Sequence, residues 1–366
     1  MKKNLLLSLG MLTILSFSID AKAQVDFGNS AFCERNEVRN ISSETTSPGE
    51  KTSPIIQGMV ANQLYHFGFD RNAELPLVPS EADGPYIEEF RAGNQWIKEV
   101  DKKVMTLPFI DNDGAEKILK GYFIENPTQS KKTIIFSHGY RMNALQVGGW
   151  VKMYYDMGYN ILVPDSRAHG MSDGNDISFG WKEKEDYKNW VDQLVEMQPN
   201  MEIVIAGVSM GASTTMMASG EIMPENVKGY IEDSGYTSVY DEFEYLKPTV
   251  KELINKYLED HNINTIIDDN DLNQIIKLID KKLLSKQGFT LSDASSIHQL
   301  QKNTKPVLFI HGSEDTLVPT SAVYKNFEAS KGIKELWVVP ETGHGLAVIQ
   351  DRPEYQQRIE TFLNNL

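Results

Sequence analysis

A single cysteine, Cys33, stands in a chain of 366 residues. One thiol cannot close an internal disulfide, so the fold must be held by its core, which a chain of this length can supply. Cys33 lies in a polar stretch with no histidine motif beside it and reads as incidental. Positive charge is also in short supply. Against 51 Asp and Glu there are 36 Lys and Arg, a formal net charge of −15. That excludes nucleic acid as a main partner, since phosphate binding needs clustered Lys and Arg, and it argues against adsorption to anionic lipid. Long apolar runs are absent beyond the first residues, so no stable membrane anchor is expected in the body of the chain. Apolar residues at 40% and charged residues at 24% are ordinary for a globular protein.

The start has its own pattern. Met1-Lys2-Lys3 is basic, residues 5–19 are apolar, and Ala21-Lys22-Ala23 offers small residues where a signal peptidase reads them. Residues 1–23 therefore read as a signal peptide cleaved after Ala23, and the mature protein as exported, periplasmic or secreted. Residues 24–54, rich in Ser, Thr, Asn, Glu and Pro, read as a flexible lead. Residues 55–101 carry scattered aromatics (Tyr65, Phe67, Phe69, Tyr86, Phe90, Trp96) and are expected to pack on the main domain, 102–366.

From residue 102 the pattern becomes regular. Residues 104–109 and 118–124 flank Asp113-Gly114, a hairpin signature. The aspartates there do not meet the D-x-D-x-D-G spacing of a calcium loop, because Phe109 occupies the first slot, and no metal site is expected. Short apolar runs at 133–137, 160–164, 201–206, 228–231, 306–310 and 335–339 then alternate with helical periodicity at 145–157, 181–197 and 353–363. That alternation predicts a mainly parallel sheet covered on both faces. Residues 239–300 break it. They hold no strand signal but carry Leu246, Val250, Leu253, Ile254, Tyr257 and Leu258, then Leu272, Ile275, Ile276 and Ile279, at helical spacing. A helical insertion of about sixty residues exceeds an ordinary connection and reads as a lid over an acyl pocket. The plainer alternative is that one of its helices, near 240–258, packs on the sheet.

The chemistry centres on Gly207-Val208-Ser209-Met210-Gly211, a G-x-S-x-G pattern between a strand and small residues that open a helix. The glycines allow the tight path and close helix–strand packing. A serine hydroxyl needs an adjacent base. His344, flanked by Gly343 and Gly345 after a strand, is the candidate. Asp315, on the loop after strand 306–310, is the candidate orienting acid, with Glu314 and Asp233 as competitors. An oxyanion needs backbone donors, and the amides of Met210, at the helix start, and Tyr140, after strand 133–137, fit that need.

These residues resemble the α/β-hydrolase superfamily, in the branch of serine aminopeptidase-like and bacterial cell-surface hydrolases. The resemblance rests on Ser137-His138-Gly139-Tyr140, Asp165-Ser166-Arg167-Ala168-His169-Gly170-Met171-Ser172, the Ser209 pentapeptide, Asp233-Ser234-Gly235-Tyr236-Thr237-Ser238, His311-Gly312-Ser313-Glu314-Asp315 and Gly343-His344. They span about residues 104–350 in family order. It implies an α/β-hydrolase fold with an eight-stranded, mostly parallel sheet, a Ser209–Asp315–His344 triad, and no metal or organic cofactor. It gives Asp165, Arg167 and His169 a structural turn rather than a catalytic role, with Ala168 where many relatives have Gly. The expected activity is hydrolysis of a carboxylic ester through an acyl-enzyme, on a small-molecule or peptide acyl substrate. Peptidase or aminopeptidase and thioesterase activity are alternatives on the same triad. A non-catalytic binding protein on a hydrolase scaffold is the alternative of another class.

Overall fold

The computed structural model describes residues 52–73, 83–260 and 263–366. The signal-peptide reading, Cys33 and residues 24–51 of the expected flexible lead fall outside them. Two helices come first, α1 (Pro54–Phe69) and α2 (Ile87–Glu99). The hairpin β1 (Lys103–Ile110) and β2 (Glu116–Ile124) follows, then β3 (Lys132–Ser137), α3 (Gly148–Asp156), β4 (Asn160–Pro164), α4 (Glu183–Met197), β5 (Glu202–Val208), α5 (Met210–Ala218) and β6 (Val227–Asp233). The insertion holds α6 (Val239–Asp260) and α7 (Asp269–Gln287) and leads into α8 (Ser296–Leu300). The chain closes with β7 (Val307–Gly312), α9 (Ser321–Ala329), β8 (Lys334–Val339), α10 (Ala347–Gln350) and α11 (Arg352–Asn364).

The strands form one eight-stranded sheet in the order β1-β2-β4-β3-β5-β6-β7-β8. The β1–β2 and β2–β4 pairings are antiparallel and the rest are parallel. Burial follows position. Residues of β1 alternate exposed and buried, as an edge strand covered on one face must, and Pro108 is tolerated there. β4 is buried throughout, as a central strand covered on both faces should be. One core packs α2, α3, α10 and α11 on one face of the sheet, with Trp150, Tyr154, Tyr355 and Phe362 buried in it. A second packs α4, α5 and α9 on the other face around Tyr187, Trp190 and Phe309.

A third cluster stands apart from the sheet. It joins α1 (Ile56, Ala61, Tyr65, Phe69) to α6 (Ile254, Leu258) and α7 (Leu272, Ile275, Ile279, Leu283). The insertion is helical, as its periodicity predicts, and its neck is closed by an antiparallel bridge between Ser238 and Ser295. The segment that packs on the sheet side is α8, whose Leu300 enters the second core, rather than residues 240–258.

The N-terminal region divides in a way that aromatic content alone does not show. α2 lies on the sheet domain, Phe90 meeting the ring of Trp150 edge-on at 4.7 Å. α1 lies on the insertion instead. Thr52, within the stretch expected to be flexible, is buried and donates to Asp271 Oδ2 at 2.7 Å, and Ser53 caps α1. Among the described residues no helix is long and apolar enough to cross a membrane.

Candidate active site

Ser209 stands between β5 and α5 with its backbone at φ 58°, ψ −123°. A non-glycine residue in that region costs on the order of 1–3 kcal/mol, so the surroundings must impose it. They do so by close packing. A Cβ on Gly211 would lie 2.1 Å from the Ser137 carbonyl oxygen, and one on Gly207 would lie 2.4 Å from that of Gly211. The Ser209 amide donates to the Asp233 carbonyl at 2.8 Å, tying the turn to the end of β6.

The loop after β8 brings His344 to this turn. The Ser209 hydroxyl donates to His344 Nε2 at 2.8 Å, and His344 Nδ1 donates to Asp315 Oδ2 at 2.7 Å. Asp315, on the loop after β7, is fully buried in its side chain. Its Oδ1 accepts the Leu317 and Val318 amides at 2.9 Å each. His311 Nε2 donates to the Val318 carbonyl at 3.0 Å and lies 3.2 Å from Asp315 Oδ2. Burial would raise the Asp315 carboxyl, but the charge of His344 and the hydrogen bonds from His311 and His344 outweigh it and hold it well below the usual range. Burial opposes charge on His344, and Asp315 overcomes it, so the imidazole is a stronger base than a free histidine. Of the two competitors, Glu314 is exposed. Asp233 is buried and accepts from Ser234 Oγ at 2.9 Å and the Tyr355 hydroxyl at 3.1 Å.

The loop after β3 lies against the same turn. A Cβ built on Gly139 would sit 3.5 Å from the Ser209 Cβ. Among the described residues no protein acceptor takes the Tyr140 or Met210 amide, whereas the next amide, Arg141, donates to His169 Nε2 at 3.1 Å. His138 is buried, donating from Nδ1 to the Gly139 carbonyl and accepting the Ser166 amide at Nε2. Burial pushes its pKa down, keeping it neutral. Asp165 accepts the Ala144 and Met171 amides, and Arg167 grips Asp186 through two bonds of 2.6 and 2.7 Å. These groups are occupied in holding their turn, where Ala168 adopts φ 59°.

The sequence pattern of the serine aminopeptidase S33 family matches residues 128–348, well over half of the chain. The chain belongs to the serine aminopeptidase S33 family. It is a serine α/β hydrolase, of the kind that includes esterases and peptidases. It is 27% identical over 249 residues to the uncharacterized Bacillus subtilis protein YqkD, covering 68% of this chain and 76% of that one. Its fold is similar to the Pyrococcus furiosus esterase Pf2001, with a TM-score of 0.54 and 23% identity over 73% of this chain and 94% of that one. It is also similar to the α/β hydrolase GrgF from Penicillium sp. sh18, with a TM-score of 0.51 and 18% identity over 72% of this chain and 98% of that one. In the Pyrococcus horikoshii acylaminoacyl peptidase the TM-score is 0.50 at 16% identity, over 74% of this chain but 42% of that one.

In this S33 member, two further features of the α1 and insertion region lie outside the sequence motifs. Glu242 of α6 is buried, and burial pushes its carboxyl up to about 8, with His344 drawing it down and Asp315 and Asp241 pushing it up. A charged residue in the apolar stripe Val239, Glu242, Leu246 is the signal that would have marked it. A cavity of about 80 Å³ adjoins the Tyr140 loop, walled by Leu64 and Phe67 of α1, Phe243, Leu246 and Val250 of α6, and Ile275, Ile276 and Ile279 of α7. Among the described residues Lys247 is the one charged residue along its walls. Among the described residues no cluster of His, Cys, Asp or Glu is arranged to hold a metal. The turn aspartates Asp111 and Asp113 both bind the Lys117 ammonium instead.

Proposed function

We propose that this S33 member is an exported carboxylic ester hydrolase acting through Ser209, His344 and Asp315. The observation that carries the reading is the unbroken relay from the Ser209 hydroxyl to His344 Nε2 at 2.8 Å and from His344 Nδ1 to Asp315 at 2.7 Å. In the proposed reaction Ser209 Oγ attacks the ester carbonyl carbon as its proton passes to His344 Nε2. The amides of Met210 and Tyr140 stabilise the resulting oxyanion. The C–O bond to the alcohol breaks, the alcohol leaves with the proton from His344, and the acyl group remains on Ser209. Water, deprotonated by His344, attacks the acyl carbon and releases the acid. Asp315 keeps the imidazole in the required tautomer.

The proposed acyl group is short and apolar. The cavity of about 80 Å³ beside the Tyr140 loop is small against an ordinary ligand pocket, and its walls among the described residues are apolar apart from Lys247. The insertion and α1 together set that limit, which is the sense in which residues 239–300 act as a lid. A second reading, an aminopeptidase, is favoured by buried Glu242, a carboxyl near enough to feel the charge of His344, which a substrate ammonium would ionise and pair with. Kinetics on p-nitrophenyl esters from acetate to dodecanoate, beside a panel of aminoacyl amides, separate the two. The ester reading expects kcat/KM to peak at or below butyrate and the amides to turn over far more slowly. Faster turnover of the amides, or a preference for long chains, contradicts it. Export rests on the Met1–Ala23 pattern alone, and a mature N-terminus other than residue 24 in the secreted protein would refute that cleavage site.

A further inference from the structure

Arg141, next to the proposed oxyanion donor Tyr140, has no carboxylate partner among the described residues. It presents five N–H donors, and each reaches an oxygen of this chain. Nη2 donates to the carbonyls of Phe67 at 2.9 Å and Asp70 at 2.8 Å, and Nη1 to those of Arg71 at 3.3 Å and Ala73 at 3.4 Å. Nε donates to the Tyr140 hydroxyl at 3.0 Å. The Tyr140 hydroxyl in turn lies 3.0 Å from the Phe67 and Gly68 carbonyls, to which it donates. No donor is left for a substrate carboxylate, so an anion-binding role is ruled out by saturation. What the guanidinium holds is the C-terminus of α1, where carbonyls lack helical partners and the dipole favours a cation.

The backbone shows the same demand. Arg141 sits at φ 56°, in the left-handed region, and its amide is fixed by His169 Nε2. The end of α1 is anchored from the other side as well. Arg71 donates to the carbonyls of Ser172 at 2.8 Å, Gly174 at 2.9 Å and Gly170 at 3.1 Å. At its other end α1 is tied to α7 through Thr52 and Gln57, both bonded to Asp271, and through Asn62, bonded to Lys282. One helix therefore links the insertion to the loop beside Ser209.

We infer that α1 is part of the catalytic apparatus, and that Arg141 is a positioning residue clamping the α1 carbonyls to the oxyanion loop so that the Tyr140 amide points at the reacting oxygen. α1 lies outside the region matched by the family pattern, which begins at residue 128. The inference rests on the reading of Tyr140 as an oxyanion donor. Loss of the clamp should weaken tetrahedral species more than ground-state binding. A misplacement of about 1 Å can cost on the order of 100-fold in rate.

The test compares wild type with Arg141→Gln and Arg141→Lys. Sites are counted by fluorophosphonate titration, and kcat per titrated site and the Ki of a short alkylboronic acid, which forms a tetrahedral serine adduct, are measured. Arg141→Gln is expected to lower kcat per site and raise the boronate Ki by similar factors, roughly ten- to a hundredfold, with KM nearly unchanged. Arg141→Lys should fall between. A merely structural role would reduce the number of titrated sites and leave both quantities per site unaltered. Tyr140→Phe, which keeps the amide and removes one clamping hydroxyl, decides the matter if Arg141→Gln does not fold. A several-fold change in both quantities is expected. Values within twofold of an active wild type in the variants that fold overturn the inference, whereas an inactive wild type overturns the hydrolase reading itself.

Discussion

Replacing Glu242 with glutamine should stabilise the protein at neutral and alkaline pH and leave it unchanged in acid. The carboxyl titrates at about 8 in the fold against an ordinary 4.5. Burial is the main cause, with Asp315 and Asp241 adding repulsion and His344 opposing them. A group whose folded pKa is raised contributes its full stability below the unfolded value and loses it as pH rises towards the folded one. Between pH 4.5 and 8 the unfolded chain ionises Glu242 while the folded chain keeps it protonated. At 1.36 kcal/mol per unit, the penalty at pH 7 is on the order of 3 kcal/mol. Glutamine has nearly the same shape and no charge to desolvate, so Glu242→Gln should raise Tm by roughly 5 °C at pH 8 for a domain of this size. Near pH 4.5 the two proteins should melt together. Thermal melts across that pH range, followed by circular dichroism, measure the gap. A gap independent of pH, or a less stable variant at pH 8, refutes the assignment of a protonated, buried carboxyl at Glu242.

Other expectations follow from single contacts. Asp315→Asn should preserve the fold but lower kcat by about 10⁴ through the wrong imidazole tautomer. Because Asp315 raises the His344 pKa, the acid limb of the kcat/KM profile should move to lower pH in that variant, and an unmoved limb counts against the assignment. Gly211→Ala places a Cβ 2.1 Å from the Ser137 carbonyl oxygen, a backbone atom that cannot rotate away. It should cost more than about 3 kcal/mol and be read as a fall in Tm or in soluble yield. Gly58→Ala, in α1 with nothing within 4 Å of the new Cβ, should instead stabilise by about 0.5–1 kcal/mol, and a lower Tm would contradict the placement of α1.

The sheet was legible because its central strands are short apolar runs, and each run stops at a residue type with few alternative uses. Gly207 and Gly211 mark a place where backbones nearly touch, and His344 and Asp315 each follow a strand at the sheet's carboxyl edge. Local sequence carries all of that. What it does not carry is contact between segments far apart in the chain. α1 has apolar residues all around, and nothing in it indicates that Tyr65 and Phe69 pack against α7 rather than the sheet. Arg141 looks like any surface arginine beside a motif, because its partners are backbone carbonyls of residues 67–73, which have no residue signature. Glu242 was hidden for the opposite reason, since a glutamate in an amphipathic helix is ordinarily on the wet face.

The central claim is that Ser209 is the nucleophile. The direct measurement is fluorophosphonate labelling of the purified protein with peptide mapping, alongside p-nitrophenyl acetate hydrolysis by wild type and Ser209→Ala. The account predicts label on Ser209 alone and a loss of turnover on the order of 10⁶ in the folded variant. Label on another residue, or hydrolysis unchanged in Ser209→Ala, would contradict it.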